Sequence, residues 1–145
     1  MLLIVYMSRF ASALTKGELE ELGSAAAEKN LHLGVTGVLL YDNRRFMQAI
    51  EGPVSSVHGL MDTIARDTRH RELSYVCRDS LEQRQFDGWS MRSAHIDPSL
   101  KLAELRLQVA DLLVGTTALP VKAAFFGFAA TSRRMRPSAQ TLSRW

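Results

Sequence analysis

Gln48 sits inside Phe46-Met47-Gln48-Ala49-Ile50-Glu51-Gly52, a run that otherwise reads as a buried strand. Alternate strand residues share a face, so Phe46, Gln48 and Ile50 point the same way. A buried carboxamide left unpaired costs ~1–3 kcal/mol. Gln48 therefore needs a partner: a backbone group or water in a well-satisfied core, or a polar ligand lying on the sheet. Tyr6 shares a strand face with Leu2 and Ile4. A buried tyrosine hydroxyl also finds a hydrogen-bond partner. If the first and third strands are neighbours, Tyr6 and Gln48 can be that pair. Neither is a strong base or nucleophile near neutral pH, so the pair makes a poor hydrolytic site. Asn30 falls about 20° from Leu19 around an ideal helix, at the end of an apolar stripe. It is either a helix C-terminal asparagine in left-handed geometry or a polar group aimed at something bound.

Several other chemistries lack their residues. No Gly-rich phosphate loop follows the first strand, and no His-x-x-x-His or paired carboxylates stand at metal spacing. Ser, His and Asp occur in no recognisable catalytic motif. The paired aromatics of an RNA-binding sheet are missing from the matching strands. Cys77 is the single cysteine, so no intrachain disulfide and no cysteine-rich metal site can form, which is compatible with a reducing compartment.

The elements that must hold these residues follow from periodicity. Leu2–Met7 reads as a strand apolar on both faces, central in a covered sheet. Thr15-Lys16-Gly17-Glu18 fits a capping box. The helix it opens carries Leu19, Leu22, Gly23 and Ala26 on one stripe and is expected to end near Asn30. Leu33–Tyr41 reads as a second strand, Asp42-Asn43 as a turn, and the Gln48 strand as the third, broken by Gly52-Pro53. Val57, Leu60, Met61 and Ile64 mark a second helix, running into the polar stretch 66–70. Leu73–Arg78 is a fourth strand, and residues near 89–93 a fifth. This order is the split βαβ pattern of a ferredoxin-like α+β fold, βαββαββ, with both helices on one sheet face. Asp97-Pro98 predicts a third helix start, with Leu102, Leu105, Val109, Leu112 and Leu113 as its stripe. Pro120 opens a fourth helix with Val121, Ala124, Phe125 and Phe128 on one side. Those two helices are expected to cover the other sheet face.

At 145 residues with 46% hydrophobic content, the chain suits one domain. Its net charge of +3 is concentrated at one end. Arg133, Arg134, Arg136 and Arg144 stand in the last fifteen residues with no acid, and without them 14 basic and 15 acidic side chains leave a net of −1. A folded nucleic-acid-binding surface usually leaves a basic excess in the domain itself. The expected division is a core domain at 1–95, a helical extension at 96–132 and a flexible basic tail at 133–145. Met1–Met7 is too short for a signal or a membrane span, so a cytoplasmic protein is expected.

Taken together, the residues resemble the BLUF family, the blue-light sensors using FAD. The matching points are Tyr6-x-Ser8, then Asn30 followed by Gly34-Val35-Thr36-Gly37, then Phe46-x-Gln48-x-x-Glu51-Gly52. Ile64-Ala65-Arg66-Asp67-Thr68-Arg69-His70 and Arg84-x-Phe86-x-x-Trp89-Ser90-Met91 follow in order. The resemblance covers about residues 2 to 93 and is specific as a set. It implies a flavin held non-covalently between the two helices, FAD with FMN as the alternative. Gln48 would bridge the Tyr6 hydroxyl and the flavin N5/O4 edge, and Asn30 would hold the pyrimidine edge. Leu22 and Ile64 would sandwich the ring. Asp67, Arg69 and His70 would lie along the ribityl and phosphate side. Lys29 and His32 would neighbour the pyrimidine edge or phosphates, or else be exposed helix-end residues. Trp89 and Met91 match fifth-strand residues that approach Gln48 in alternative arrangements, or they are core packing. Cys77 lies in no flavin–cysteine adduct motif.

The resemblance implies a light switch, not an enzyme. Tyr6 gives an electron and then a proton, Gln48 relays the proton, and its side chain is left rotated or tautomerised. Signal would pass through the fifth strand to the C-terminal helices, then to a separate effector protein or a homo-oligomer, a dimer first. The oligomer is expected from Phe125, Phe126 and Phe128, more aromatic surface than one helix readily buries. Two other classes stand beside this: a light-insensitive flavin-binding or interaction module, and a small acylphosphatase-like enzyme, for which Arg9 with Asn43 is a faint echo.

Overall fold

The structure, a computed structural model, describes residues 1–134. Nine elements run in the order β1 (Leu2–Phe10), α1 (Lys16–Leu33), β2 (Thr36–Tyr41), β3 (Arg45–Gly52), α2 (Val54–Arg66), β4 (His70–Ser80), β5 (Arg92–His95), α3 (Leu102–Leu112) and α4 (Leu119–Arg134). The sheet order is β4-β1-β3-β2-β5. Its first four strands pair antiparallel, and β5 lies parallel to β2. This is the expected ferredoxin-like α+β arrangement, extended by one strand. Tyr6 stands directly opposite Gln48 in the β1–β3 register.

Because side chains alternate across a strand, the sheet feeds two cores. Leu2, Ile4, Tyr6, Val35 and Ile50 pack with Val57, Leu60 and Met61 of α2. Leu3, Val5, Val38, Leu40, Met47 and Ala49 pack on the other side with Leu105 and Val109 of α3 and Phe125 and Phe128 of α4. The two C-terminal helices thus cover the face that α1 and α2 leave bare. Phe125 and Phe128 are buried within the single chain, so they do not call for a partner. Residues 133 and 134 complete α4 instead of joining a tail, and Arg133 Nε donates to the Leu100 carbonyl at 3.2 Å. The rest of the expected basic tail lies outside the described residues.

Several boundaries differ from the sequence reading. The Thr15–Glu18 capping box forms, but α1 continues past Asn30 to Leu33. Gly34, at φ +68°, takes the left-handed cap instead, because glycine adopts it without a Cβ clash. Asn30 is therefore a helix-interior residue, and β2 starts at Thr36, not Leu33. The fifth strand is Arg92–His95, so Trp89 and Met91 lie on the connection before it. Asp97 caps a turn, accepting from the Ser99 amide at 2.9 Å, and α3 starts only at Leu102. Gly37 is sterically required: a Cβ there would run into the Ala49 carbonyl oxygen of the neighbouring strand.

Candidate functional site

A cavity of about 220 Å³ opens between α1, α2 and the sheet. Its floor is Tyr6 of β1, Phe46 and Gln48 of β3, and Leu39 and Tyr41 of β2. One wall is α1, through Leu19, Leu22, Ala25, Ala26, Lys29 and Asn30. The other is α2, through Leu60, Thr63 and Ile64, and Phe10, Asp67, Arg69 and His70 complete the lining. The apolar stripe of α1 faces this cavity, which is why Leu19, Leu22 and Ala26 are only half-buried.

On the floor, the Tyr6 hydroxyl donates to Gln48 Oε1. Burial, then the nearby Asp67 carboxylate and Tyr75, push the Tyr6 pKa well above its ordinary value. The phenol stays protonated and remains a donor. Gln48 Nε2 has Met91 Sδ at 3.6 Å as its partner. A thioether is a weak acceptor, so a buried amide N–H stands at the cavity floor with capacity for a better one. The Phe46 ring lies edge-on to Tyr6, with centroids 5.9 Å apart.

Asn30 is 1% exposed, and its Nδ2 donates to the Ser90 carbonyl at 2.7 Å. It thereby fastens α1 to the same connection that carries Met91. At the cavity's far end Arg69 Nε donates to both Asp67 oxygens, at 2.9 and 3.0 Å. This bonding, against the opposing pull of burial, lowers the Asp67 pKa to about 2. His70 Nε2 lies 2.6 Å from the Ile64 carbonyl. A carbonyl only accepts, so that nitrogen carries a hydrogen. Nδ1 meets Ser8 Oγ at 2.6 Å, and Ser8 in turn donates to the Arg71 carbonyl at 2.7 Å. His70 thus pins the end of α2 to β1.

Tyr6, Leu22, Lys29, Asn30, Gln48, Ile64, Asp67, Arg69 and His70 all line this one cavity, and Met91 touches Gln48 from its side. Two residues read from the sequence do not join them. Trp89 packs against the α3/α4 core, with Arg92 stacked 4.6 Å over its ring. Its carbonyl accepts the Gly37 amide at 3.0 Å, which holds that stretch on the β2 side. His32 is exposed: two helical residues from Asn30 are about 200° of rotation, which carries it away from the cavity. The acylphosphatase echo dissolves as well, since Arg9 pairs with Glu72 at 3.0 Å and Asn43 with His95 at 3.0 Å.

Glu51 carries a role that the motif alone did not disclose. It is fully buried, and its carboxylate accepts from the Phe86 amide at 2.7 Å, the Gln85 amide at 2.8 Å and Thr36 Oγ1 at 2.9 Å. Gln85 Oε1 then takes the Thr117 and Ala118 amides, each at 2.9 Å, just ahead of α4. The middle of the 81–91 connection is thus tied to β3 through the Gln85 and Phe86 amides and to the start of α4 through the Gln85 side chain. Leu39 and Tyr41 were missed as lining residues because their position depends on the β2–β3 register. That register sets Leu39 opposite Gln48 and Tyr41 opposite Phe46.

The mostly apolar slot suits a flat ring system, the floor amide offers a donor to a ring acceptor, and Arg69, Lys29 and His70 supply polar groups at the rim. A flavin fits this donor set. No helix among the described residues is long and apolar enough to cross a membrane, and no group of three or more His, Cys, Asp or Glu among them could hold a metal ion.

A family model for sensors of blue light using FAD, BLUF, matches residues 1–92. The photoactivated adenylate cyclase subunit beta of Euglena longa is 29% identical over 92 residues, covering 63% of this chain and 11% of that protein. The blue light- and temperature-regulated antirepressor BluF of Escherichia coli K12 is 30% identical over 108 residues, covering 74% of this chain and 25% of that protein. Among solved structures, Klebsiella pneumoniae BlrP1 superposes with a TM-score of 0.75 at 28% identity, over 95% of this chain and 35% of that one. The dark-state structure of the BLUF protein BlrB gives 0.66 at 32% identity, over 90% of this chain and 96% of that one. The chain spans only about a tenth to a quarter of these curated relatives.

Proposed function

This chain belongs to the BLUF family of blue-light sensors using FAD, and on that premise we propose that its cavity binds FAD non-covalently and that Gln48 is the moving part of a light switch. When bound, the flavin supplies blue-light absorption and a photo-excited electron acceptor. Tyr6 holds its proton at the phenolic oxygen, and Gln48 Oε1 is the atom positioned to receive it. Gln48 Nε2 is the donor for the ring edge. Rotation or tautomerisation of the amide exchanges donor for acceptor at both ends, which is a local event able to bias a larger element. Asn30 serves the pyrimidine edge, Leu22 and Ile64 flank the ring, and Asp67, Arg69 and His70, with Lys29, serve the chain beyond it. FAD is preferred over FMN on the family description and on the polar rim at the cavity's far end. Residues 1–95 act as the sensor, and 96–132 as the element that carries the signal to an effector protein or a second copy. The chain itself catalyses no reaction in this reading, and it works in the cytoplasm.

The observation that carries this reading is the Tyr6–Gln48 hydrogen bond on the cavity floor, with the other end of the amide facing only a thioether. The decisive measurement is the absorption spectrum of the purified protein before and after blue light. It is expected to be yellow and to show a reversible red shift of the flavin band. A colourless protein that takes up no added flavin would refute the proposal, and a yellow one with no shift would leave a light-insensitive flavin module.

A further inference from the structure

Gln85 stands between two sets of bonds of unequal strength. Its backbone amide donates to Glu51 Oε2 at 2.8 Å, beside the Phe86 amide on Oε1 at 2.7 Å. Arg84 donates to Thr36 Oγ1 at 2.9 Å, which leaves the threonine's own hydrogen for Glu51. Every neighbour of the Glu51 oxygens is thus a donor, and the residue is fully buried. Hydrogen bonds to such a carboxylate are the strong kind. The Gln85 side chain makes the weaker set. Its Oε1 accepts the Thr117 and Ala118 amides, each at 2.9 Å, and the Thr117 hydroxyl at 3.2 Å. These partners are neutral and Thr117 is exposed, so water competes for the same oxygen and the net gain is modest. The Ala118 carbonyl accepts the Lys122 amide at 3.2 Å, so Gln85 holds the residue at the cap position of α4.

From Gln85 to Met91 the chain is braced repeatedly. Phe86 is fully buried, and its carbonyl accepts the Trp89 amide at 3.0 Å. The Trp89 carbonyl accepts the Gly37 amide at 3.0 Å. Asn30 holds the Ser90 carbonyl at 2.7 Å, and Met91 Sδ then meets Gln48 Nε2. Through Glu51 this stretch follows β3, the strand that carries Gln48. Of all these bonds, only those of the Gln85 carboxamide reach α4. The other end of α4 is held by the buried bonds of Ser132 to Asp42 and Arg45. A shift of the 85–91 stretch relative to the C-terminal helices therefore opens the Gln85 end first.

We propose that Gln85 is a positioning residue and the releasable joint of this molecule. In the dark its carboxamide holds the start of α4 on the 85–91 stretch, and rearrangement of Gln48 and Met91 in the light frees it. The proposal rests on the photosensor reading above and names the residue through which the change reaches the C-terminal helices. The joint has two arrangements, carboxamide on the 117 and 118 amides or carboxamide in water, as a local switch requires. Gln85 fills the open position of Arg84-x-Phe86, so the joint belongs to this chain and not to the pattern it shares.

Amide hydrogen exchange read by NMR on the flavin-loaded full chain, in darkness and under continuous blue light, tests it. Exchange at the Thr117 and Ala118 amides is expected to rise about tenfold in the light, while the Gln85 and Phe86 amides on Glu51 stay as they are. Gln85→Leu should exchange fast at 117 and 118 already in the dark and gain nothing from light, with the red shift intact. Gln85→Glu keeps an acceptor oxygen and should restore the slow dark exchange and its response to light, a rescue that packing alone does not give. Gln85 is only half-buried, and the flavin band of each sample reports that it has folded. Equal exchange in dark and light in the parent, slow exchange retained in Gln85→Leu, or a red shift lost in that variant would each overturn the proposal. A parent with no red shift would refute the photosensor reading and the release with it, whereas a normal red shift with unchanged exchange refutes the release alone.

Discussion

Met91 Sδ lies 3.6 Å from Gln48 Nε2, whereas Trp89, two residues earlier, packs in the opposite core layer. The connection ahead of β5 therefore offers the amide a soft, weak acceptor and withholds the indole. In the proposed cycle, thermal return to this arrangement after illumination would remake the Nε2–Sδ contact. Met91→Ala should keep the flavin and the red shift but slow dark recovery by up to about fivefold, matching a loss near 1 kcal/mol. Recovery kinetics after a light pulse measure it. An unchanged rate would remove Met91 from the cycle.

Tyr6→Phe removes the hydroxyl that donates to Gln48 Oε1 on the floor. The flavin should remain bound, because the apolar walls are untouched, while the red shift disappears. Gln48→Ala should lose the shift in the same way, since it deletes the group that exchanges donor and acceptor roles. Both variants are expected to be destabilised by ~1–3 kcal/mol, the cost of stranding a buried polar partner. A normal photocycle in either would contradict the assigned roles.

The Tyr6–Gln48 pairing was legible in the sequence because strand alternation set each polar group among apolar neighbours on its own strand face, where each needed a partner. The helix starting at Thr15 was equally legible from its capping box. Less legible was whatever depended on register or loop path. Trp89 and Met91 share a parity, and strand alternation would have set both on one face, but neither lies in the strand. Tyr41 could not be assigned to the cavity until β2 was aligned against β3. Asn30 was ambiguous because the real helix end, Gly34, lies four residues on, inside what read as a strand.

Asp67 gives a pH test. Its pKa falls from 3.8 to about 2 on folding, chiefly through the hydrogen bonds from Arg69. A lowered folded-state pKa means that the folded chain holds fewer protons than the unfolded one between those values. Stability from this pair is therefore full above about pH 4 and is lost as pH falls through about 2. Melting curves should show the parent more stable than Asp67→Asn at neutral pH, with the difference closing toward pH 2. A gap that stayed constant with pH would mean that the Asp67–Arg69 pair contributes nothing to folding. Tyr6 acts at the other end of the scale with the opposite sign. Its pKa is raised on folding, so its contribution is full below about pH 10 and fades as the solution becomes more alkaline.

Asp42, Arg45 and Ser132 join the β2–β3 turn to α4 through a buried polar knot. Ser132 Oγ donates to Asp42 Oδ2 at 2.6 Å and accepts from Arg45 Nη2 at 3.1 Å, while the two charges themselves stand 3.7 Å apart. The Arg45 guanidinium also lies 4.6 Å over the Phe128 ring. The hydroxyl bridges an ion pair too long to satisfy itself, in a place where buried polar groups are costly unless fully bonded. Ser132→Ala should therefore cost ~1–3 kcal/mol, far more than an ordinary serine substitution. Arg45→Ala should cost ~3–5 kcal/mol by leaving the buried Asp42 carboxylate without its opposite charge, although it keeps the Ser132 hydroxyl and the amides of residues 44 and 45. Denaturant midpoints supply both numbers, and a Ser132→Ala variant within about 0.5 kcal/mol of the parent would show that the knot does not hold α4 to the sheet.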